Sequence, residues 1–168
     1  GKDGVVEKWL KAGAYGFRLD VADELPDSFI VKLRDAVKRT KPDGLLLGEV
    51  WEDASNKISH GGRRKYFEGQ ELDSVMNYPF RTAIIDFMKN ANAGQFMDRI
   101  LSICENYPPQ VLCCLMNHLG THDTERIFSV LGGQSGENIG RAIQRILTLT
   151  GNQKTAAENL PRQAVVIQ

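Results

Sequence analysis

The sequence is poor in cysteine, has no excess of either charge and contains no long apolar run. Its three cysteines, two of them adjacent at Cys113 and Cys114, do not suit a disulfide framework and favour a reduced, cytoplasmic compartment. Lys and Arg together number 21, as do Asp and Glu, so no net positive charge is available to hold a nucleic acid backbone. No apolar run reaches the roughly 18 residues of a membrane span. We therefore expect neither a nucleic acid partner nor a membrane partner.

The remaining composition is typical of a folded domain. Hydrophobic residues make up 42% of the 168 residues and charged residues 25%, which excludes a wholly disordered or collagen-like chain. The sequence opens inside a helical pattern at 5–10, with no basic segment leading into an apolar one, and it closes inside an apolar run at 163–168. We expect residues 1–168 to be a fragment of one larger domain.

Short apolar runs alternate with longer amphipathic ones, which is the pattern of βαβ units. The runs predict strands at 16–21, 45–50, 74–78 and 111–116, and helices that begin near 26 and include 84–88, 96–103 and 139–149. Nearly continuous apolar strands indicate a parallel sheet that is buried on both faces. Either an open doubly wound sheet or an arc of a (β/α)8 barrel fits this order. No glycine-rich phosphate loop follows a strand, which removes the main reason to prefer the open sheet.

The first predicted strand ends in Arg18 and Asp20. Side chains alternate along a strand, so these two residues share one face. An arginine beside a carboxylate favours its ionised form, as a nucleophile requires. A structural ion pair at the end of a strand explains the same pattern.

The second predicted strand ends in Glu49, followed by Trp51. A glutamate directly after three leucines is costly to bury unless it is paired or protonated, and a protonated one can act as a general acid. Trp51 offers a flat apolar face to a sugar ring. The alternatives are a carboxylate that simply reaches solvent and a tryptophan that belongs to the core.

The fourth predicted strand leads into a polar segment that contains Asn117, His118, His122 and Asp123. His122 and Asp123 can bind hydroxyl groups through directional hydrogen bonds. A metal site and a helix N-cap formed by Asp123 or Thr124 are the alternatives. The spacing fits no common zinc pattern, so we expect no metal.

These strand ends carry motifs that resemble signature regions of the α-amylase family of glycoside hydrolases. The segments are Gly16-Phe17-Arg18-Leu19-Asp20-Val21-Ala22-Asp23-Glu24, Gly48-Glu49-Val50-Trp51 and Leu119-Gly120-Thr121-His122-Asp123, and Met76-Asn77-Tyr78-Pro79-Phe80 resembles the stretch between the second and the third. The resemblance implies a partial (β/α)8 TIM barrel, with about strands four to seven present. A whole barrel needs about 250 residues.

The resemblance also implies roles for the matching residues. Asp20 is similar to the catalytic nucleophile of the family, and Glu49 to the general acid/base. Asp123 is similar to the third carboxylate, which holds sugar hydroxyls. Arg18 resembles the charge partner of the nucleophile, and His122 a substrate-binding neighbour. The implied reaction is retaining, with the two reacting carboxyl groups about 5 to 5.5 Å apart.

The pair Asp23-Glu24 resembles the neopullulanase, cyclomaltodextrinase and maltogenic amylase group, whereas many α-amylases carry Lys-His there. The resemblance therefore implies an α-glucan oligosaccharide or a cyclodextrin as substrate, with Glu24, Trp51 and Asn117 as further substrate contacts. It implies no cofactor, and a calcium site is not supported by this segment.

The first signature of the family and several of its strands are missing. Because the strands that remain would have open edges, we expect either a homodimer through those edges or low stability, and little activity from the chain alone. The alternative function is a non-catalytic carbohydrate-binding or scaffold module that keeps the fold.

Overall fold

The computed structural model describes residues 4–133 and 151–167. The chain forms two compact units: the first comprises Gly1–Pro79 and Ser102–Met116, and the second Phe80–Leu101 and Asn117–Gln168. The helices are α1 (Val5–Lys11), α2 (Asp27–Thr40), α3 (Tyr78–Asn90), α4 (Ala93–Asn106), α5 (Pro109–Leu112), α6 (Ile127–Leu131) and α7 (Gly151–Ile167). The strands are β1 (Gly16–Leu19), β2 (Leu45–Gly48), β3 (Ile58–Ser59), β4 (Gly62–Arg63) and β5 (Ser74–Val75), and a 3-10 turn spans Ala22–Glu24.

The first unit is built on a parallel sheet in the order β1-β2-β5. In the pairing of β1 with β2, Gly16 lies opposite Leu45 and Leu19 lies opposite Gly48. Beyond β5, a single parallel bridge joins Met76 to Met116. Three of the four parallel strands that the sequence predicts are therefore present. The parallel strands lie in the sheet in the same order as along the chain. This is the order of a (β/α)8 barrel, whereas the strand order of a doubly wound sheet reverses at one point. The described residues form an α/β fragment and no closed barrel.

Two local features of the sequence fix β1 and α2. At Gly16 a Cβ atom would lie 2.0 Å from the backbone oxygen of Leu45, so only glycine allows the two strands to approach this closely. Helix α2 begins after Pro26 and buries Ile30 and Val37, which are seven residues apart on one helix face. It ends before Pro42, because the residue before a proline disfavours helical geometry.

The expectation of strands buried on both faces holds for β5, where Ser74 and Val75 are both buried, and is wrong for β1 and for part of β2. Leu46 and Gly48 are buried in β2, but Leu45, Leu47 and all four residues of β1 are only partly buried. In a closed barrel the opposing strands would cover this second face, and the part of the chain described here does not supply them.

The predicted fourth strand at 111–116 is also wrong, because residues 109–112 form helix α5 and 113–114 a turn. Pro109 is the first residue of α5, where its fixed φ angle favours a helix start, and this local signal outweighs the β propensity of the apolar run. Within residues 111–116, Met116 alone forms a β-bridge, with Met76. The predicted strand at 74–78 is shorter than expected, since helix α3 already begins at Tyr78. The predicted helix at 139–149 lies outside the described residues.

The second unit is helical in its described part. Ile85, Val130 and Leu131 form its buried cluster, and partly buried Met88 and Leu160 pack against it. The predicted helices at 84–88 and 96–103 are confirmed within α3 and α4. No helix in residues 4–133 and 151–167 is both long and apolar enough to cross a membrane.

Asp73 ties α2 to the sheet. Its carboxylate accepts hydrogen bonds from the Leu46 N–H at 2.8 Å and from Arg34 Nη1 at 2.7 Å, and Lys38 Nζ lies 2.9 Å away. Burial alone would raise the pKa of Asp73, but the hydrogen bonds from Lys38, Arg34 and Leu46 outweigh it and hold the pKa below its usual range. The carboxylate therefore stabilises the fold in its ionised form.

We expect Asp73→Asn to lower the free energy of unfolding by about 2 kcal/mol at pH 7, because hydrogen bonds to a charged group are lost. The folded pKa of Asp73 lies below that of the unfolded chain, about 3.9. The contribution is therefore complete above that value and is lost as the pH falls through the folded pKa. Urea unfolding from pH 7 to pH 3 should show a gap between wild type and variant that shrinks in acid. A gap that widens in acid would contradict this assignment.

Candidate active site

Arg18 joins two carboxylates at the carboxyl end of the sheet. Its Nη1 atom lies 2.5 Å from Asp20 Oδ1, and its Nη2 atom lies 2.9 Å from Glu49 Oε1 at an angle that makes the contact an ion pair without an aligned hydrogen bond. The Nε atom donates to the sulfur of Met76 at 3.4 Å. The register of β1 and β2 explains the convergence, because Leu19 pairs with Gly48 and both acids follow directly. One guanidinium thus holds both acids together.

Glu49 is buried, with only 3% of the residue exposed, and hydrogen-bond donors surround its carboxyl group. The Val21 N–H donates to Oε2 at 2.9 Å, and the Trp51 indole N–H donates to Oε1 at 3.2 Å. The Tyr78 hydroxyl lies 3.4 Å from Oε1. A buried carboxyl group costs free energy unless it is hydrogen-bonded and paired, and these donors together with Arg18 offset that cost.

Asp20 has the opposite environment, since 69% of its side chain is exposed. It leaves the end of β1 toward solvent while its partner Arg18 remains partly buried. The pair of acids is therefore asymmetric, with one accessible carboxylate and one enclosed carboxyl group on neighbouring strands. Such different environments suit different roles in acid/base and nucleophilic chemistry.

Val21 carries a strained backbone conformation between the two acids. It lies in the left-handed region, with φ 45° and ψ 55°, which a β-branched residue rarely adopts. This conformation directs its N–H to the Glu49 carboxyl group, while the next N–H, of Ala22, donates to the Glu49 carbonyl at 3.1 Å. Strain of this kind is retained where the surrounding structure demands it.

The 3-10 turn after Val21 is anchored by Asp23, whose carboxylate accepts a hydrogen bond from the Tyr66 hydroxyl at 2.7 Å and pairs with Lys57 at 3.0 Å. Glu24 is exposed on this turn and lines a cleft of about 320 Å³ together with Ser59 and other residues of the β3–β4 hairpin. Asp20 and Glu49 do not belong to the lining of this cleft.

Asp123 and His122 lie in the second unit, where His122 Nε2 is 2.9 Å from Asp123 Oδ2. The Thr121 N–H donates to Thr124 Oγ1 at 2.8 Å, which closes a tight turn around the pair. The N-cap alternative for Asp123 or Thr124 is wrong, because α6 begins only at Ile127 and its N-cap residue is Arg126. Asn117 is exposed in the same unit.

Of the site residues that the sequence predicts in the first unit, the structure brings some into contact and leaves one apart. The structure brings Arg18, Asp20, Glu49 and Trp51 together at one edge of the sheet, whereas Glu24 lines a different cleft. In residues 4–133 and 151–167, no three His, Cys, Asp or Glu side chains gather in a way that could hold a metal ion.

Sequence reasoning missed Tyr78 and Met76 as members of this cluster. Both residues follow the carboxyl end of β5. Functional side chains gather at the carboxyl ends of parallel strands, so the reasoning that selected Arg18 and Glu49 would also select these two residues at the end of the third predicted strand. Val21 contributes its main-chain N–H group, so no pattern of side chains in the sequence predicts its contact with Glu49.

Comparisons with known proteins show which family the chain is similar to. The profile of the alpha amylase catalytic domain matches residues 2–156. A cyclomaltodextrinase of Geobacillus thermopakistaniensis is 40% identical over 120 residues, which cover 70% of this chain and 19% of that protein. Neopullulanase 2 of Thermoactinomyces vulgaris is 36% identical over 135 residues, 79% of this chain and 22% of that protein. A solved cyclomaltodextrinase structure superposes with a TM-score of 0.66 and 36% identity, over 74% of this chain and 20% of that one. The chain spans about a fifth of the length of these relatives.

Proposed function

The chain belongs to the α-amylase family of glycoside hydrolases, and from that membership we propose that it carries catalytic residues of a retaining enzyme that cleaves α-glucosidic bonds in cyclodextrin- or pullulan-type glucans. The observation that supports this proposal most strongly is the single guanidinium of Arg18 between exposed Asp20 and enclosed Glu49. Two carboxyl groups placed close together, in unlike environments, are what double displacement requires.

In the proposed mechanism the exposed Asp20 carboxylate attacks the anomeric carbon, and the Glu49 carboxyl group donates its proton to the departing glycosidic oxygen. Water then enters, Glu49 takes its proton, and the water oxygen bonds to the anomeric carbon as the bond between Asp20 and the sugar breaks, which restores both carboxyl groups. Arg18 pairs with the Asp20 carboxylate at 2.5 Å and orients it. The reaction needs the two carboxyl groups about 5 to 5.5 Å apart, and contacts to one shared guanidinium are compatible with that spacing.

We assign the remaining residues to substrate contacts. Asp123, paired with His122, would hold sugar hydroxyls as the third carboxylate, and Asn117 would add a hydrogen bond. Trp51 is half exposed and stacks one face on Tyr78, so a sugar ring would use its other face. Glu24 would reach the substrate from the rim of its own cleft.

The test is a chimaera in which this chain replaces the matching segment of the Geobacillus thermopakistaniensis cyclomaltodextrinase. We expect the chimaera to release reducing ends from cyclodextrin or pullulan, and the 168-residue chain alone to release few, because it covers only about a fifth of its relatives. Calorimetry with maltooligosaccharides provides the second measurement. A folded chimaera that binds sugar without releasing product would overturn the hydrolase and favour a carbohydrate-binding module.

A further inference from the structure

Tyr78 lies beside the Glu49 carboxyl group in a position that core packing alone does not require. It is the first residue of α3 and is 4% exposed, and its hydroxyl group lies 3.4 Å from Glu49 Oε1. Tyr107 offers a contrast, because it is equally buried but its hydroxyl accepts a hydrogen bond from the backbone N–H of Ala54. The Tyr107 hydroxyl therefore pairs with a backbone N–H group, whereas the Tyr78 hydroxyl contacts the carboxyl group of a candidate catalytic residue.

Tyr78 also holds the neighbour that donates to the same oxygen. Its ring stacks on Trp51 with centroids 4.7 Å apart and planes 11° from parallel. Trp51 is 50% exposed, and a half-exposed side chain can exchange among rotamers unless a neighbour holds it. The stack with Tyr78 supplies that restraint and keeps the indole N–H 3.2 Å from Glu49 Oε1.

We propose that Tyr78 is a positioning residue for Glu49, acting through the stacked Trp51 and through its own hydroxyl. With the Val21 N–H on Oε2 and the indole N–H on Oε1, the carboxyl group has one preferred orientation. A fixed orientation matters for an acid that protonates the glycosidic oxygen, because catalytic groups act efficiently only in a narrow range of geometries. The inference rests on the proposed role of Glu49 as the general acid/base.

The first test measures the N–H signal of the Trp51 indole and requires no catalytic activity. The 168-residue chain has two tryptophans, so ¹⁵N labelling gives two indole N–H signals, and Trp9→Phe assigns the one that belongs to Trp51. We expect Tyr78→Leu and Glu49→Gln each to shift that signal and to speed its exchange with solvent, and Tyr78→Phe to keep the stack and leave the signal in place. An unchanged signal in a folded Tyr78→Leu variant would overturn the proposal.

The second test separates positioning from binding in the chimaera. We expect Tyr78→Leu to lower kcat by about 10-fold with KM within about twofold of the parent, because misplaced groups lose rate more than binding. Trp51→Phe, which keeps an aromatic ring but removes the N–H, should also lower kcat, and it serves where Tyr78→Leu does not fold. Tyr15→Phe, at an exposed tyrosine that faces Lys41, is the matched control and should leave kcat unchanged.

The outcomes distinguish this inference from the function on which it rests. A change confined to KM in both variants would overturn the positioning role and leave Trp51 as a sugar platform. Full turnover by Glu49→Gln would overturn the acid/base role, while the indole signal would still decide whether Tyr78 holds Trp51.

Discussion

Asp20→Asn is expected to lower kcat/KM of the chimaera by at least about 10³-fold, the scale seen when a nucleophile is removed from an active site. The amide keeps the size of the side chain and its contact with Arg18, but it cannot attack the anomeric carbon. Because Asp20 is exposed, we expect the free energy of unfolding to change little. Initial rates on cyclodextrin, with urea unfolding in parallel, measure the two effects.

Asp43→Asn is the matched control for Asp20, since Asp43 is an exposed aspartate that pairs with Lys41 at 3.2 Å. It should leave the rates unchanged. Azide adds a further check, because a small anion can enter the space left in Asp20→Ala and form a glycosyl azide where the carboxylate formerly attacked. If Asp20→Asn kept most of the parental rate, the nucleophile assignment would be wrong.

Arg18→Lys is expected to lower kcat/KM by about 10- to 100-fold, although the charge is kept. The guanidinium uses Nη1 for Asp20 and Nη2 for Glu49, and a single ammonium group cannot reproduce both contacts. Losing one contact between charged groups costs about 1.5 to 3 kcal/mol, which corresponds to this range of rates. We also expect the urea midpoint to fall, because an ammonium group that stays with Asp20 leaves buried Glu49 without its cationic partner.

The control for Arg18 is Arg39→Lys, at an exposed arginine that pairs with Glu7 at 3.1 Å. Both rate and urea midpoint should stay near the parental values. Equal effects of the two substitutions would show that the loss at position 18 is not specific to the bridged carboxylates.

The sequence predicted the part of the site that follows from strand periodicity. Alternation along β1 placed Arg18 and Asp20 on one face, and parallel pairing placed Glu49 next to them, because parallel strands end at the same edge. These inferences need only local patterns and one general rule of sheet geometry. They were sufficient to predict the contact between the guanidinium and the first carboxylate.

The rest depends on contacts that local patterns do not contain. The apolar run at 111–116 has the composition of a strand, but the start of α5 at Pro109 takes its first residues into a helix. The donors to Glu49 include a main-chain N–H from Val21 and an indole oriented by Tyr78, and neither follows from residue type. Convergence of Asp123 with the other acids stays a prediction.

Gly16 has a consequence for enzyme engineering. Its missing side chain sets the distance between β1 and β2 at one end of the sheet, and the two acids depart from the opposite end of the same strands. A methyl group added there would push these strands apart and alter the distance between the carboxyl groups of Asp20 and Glu49, which follow the other end of the same strands. Residues without functional groups, remote from Asp20 and Glu49, can therefore set the geometry of the proposed active site.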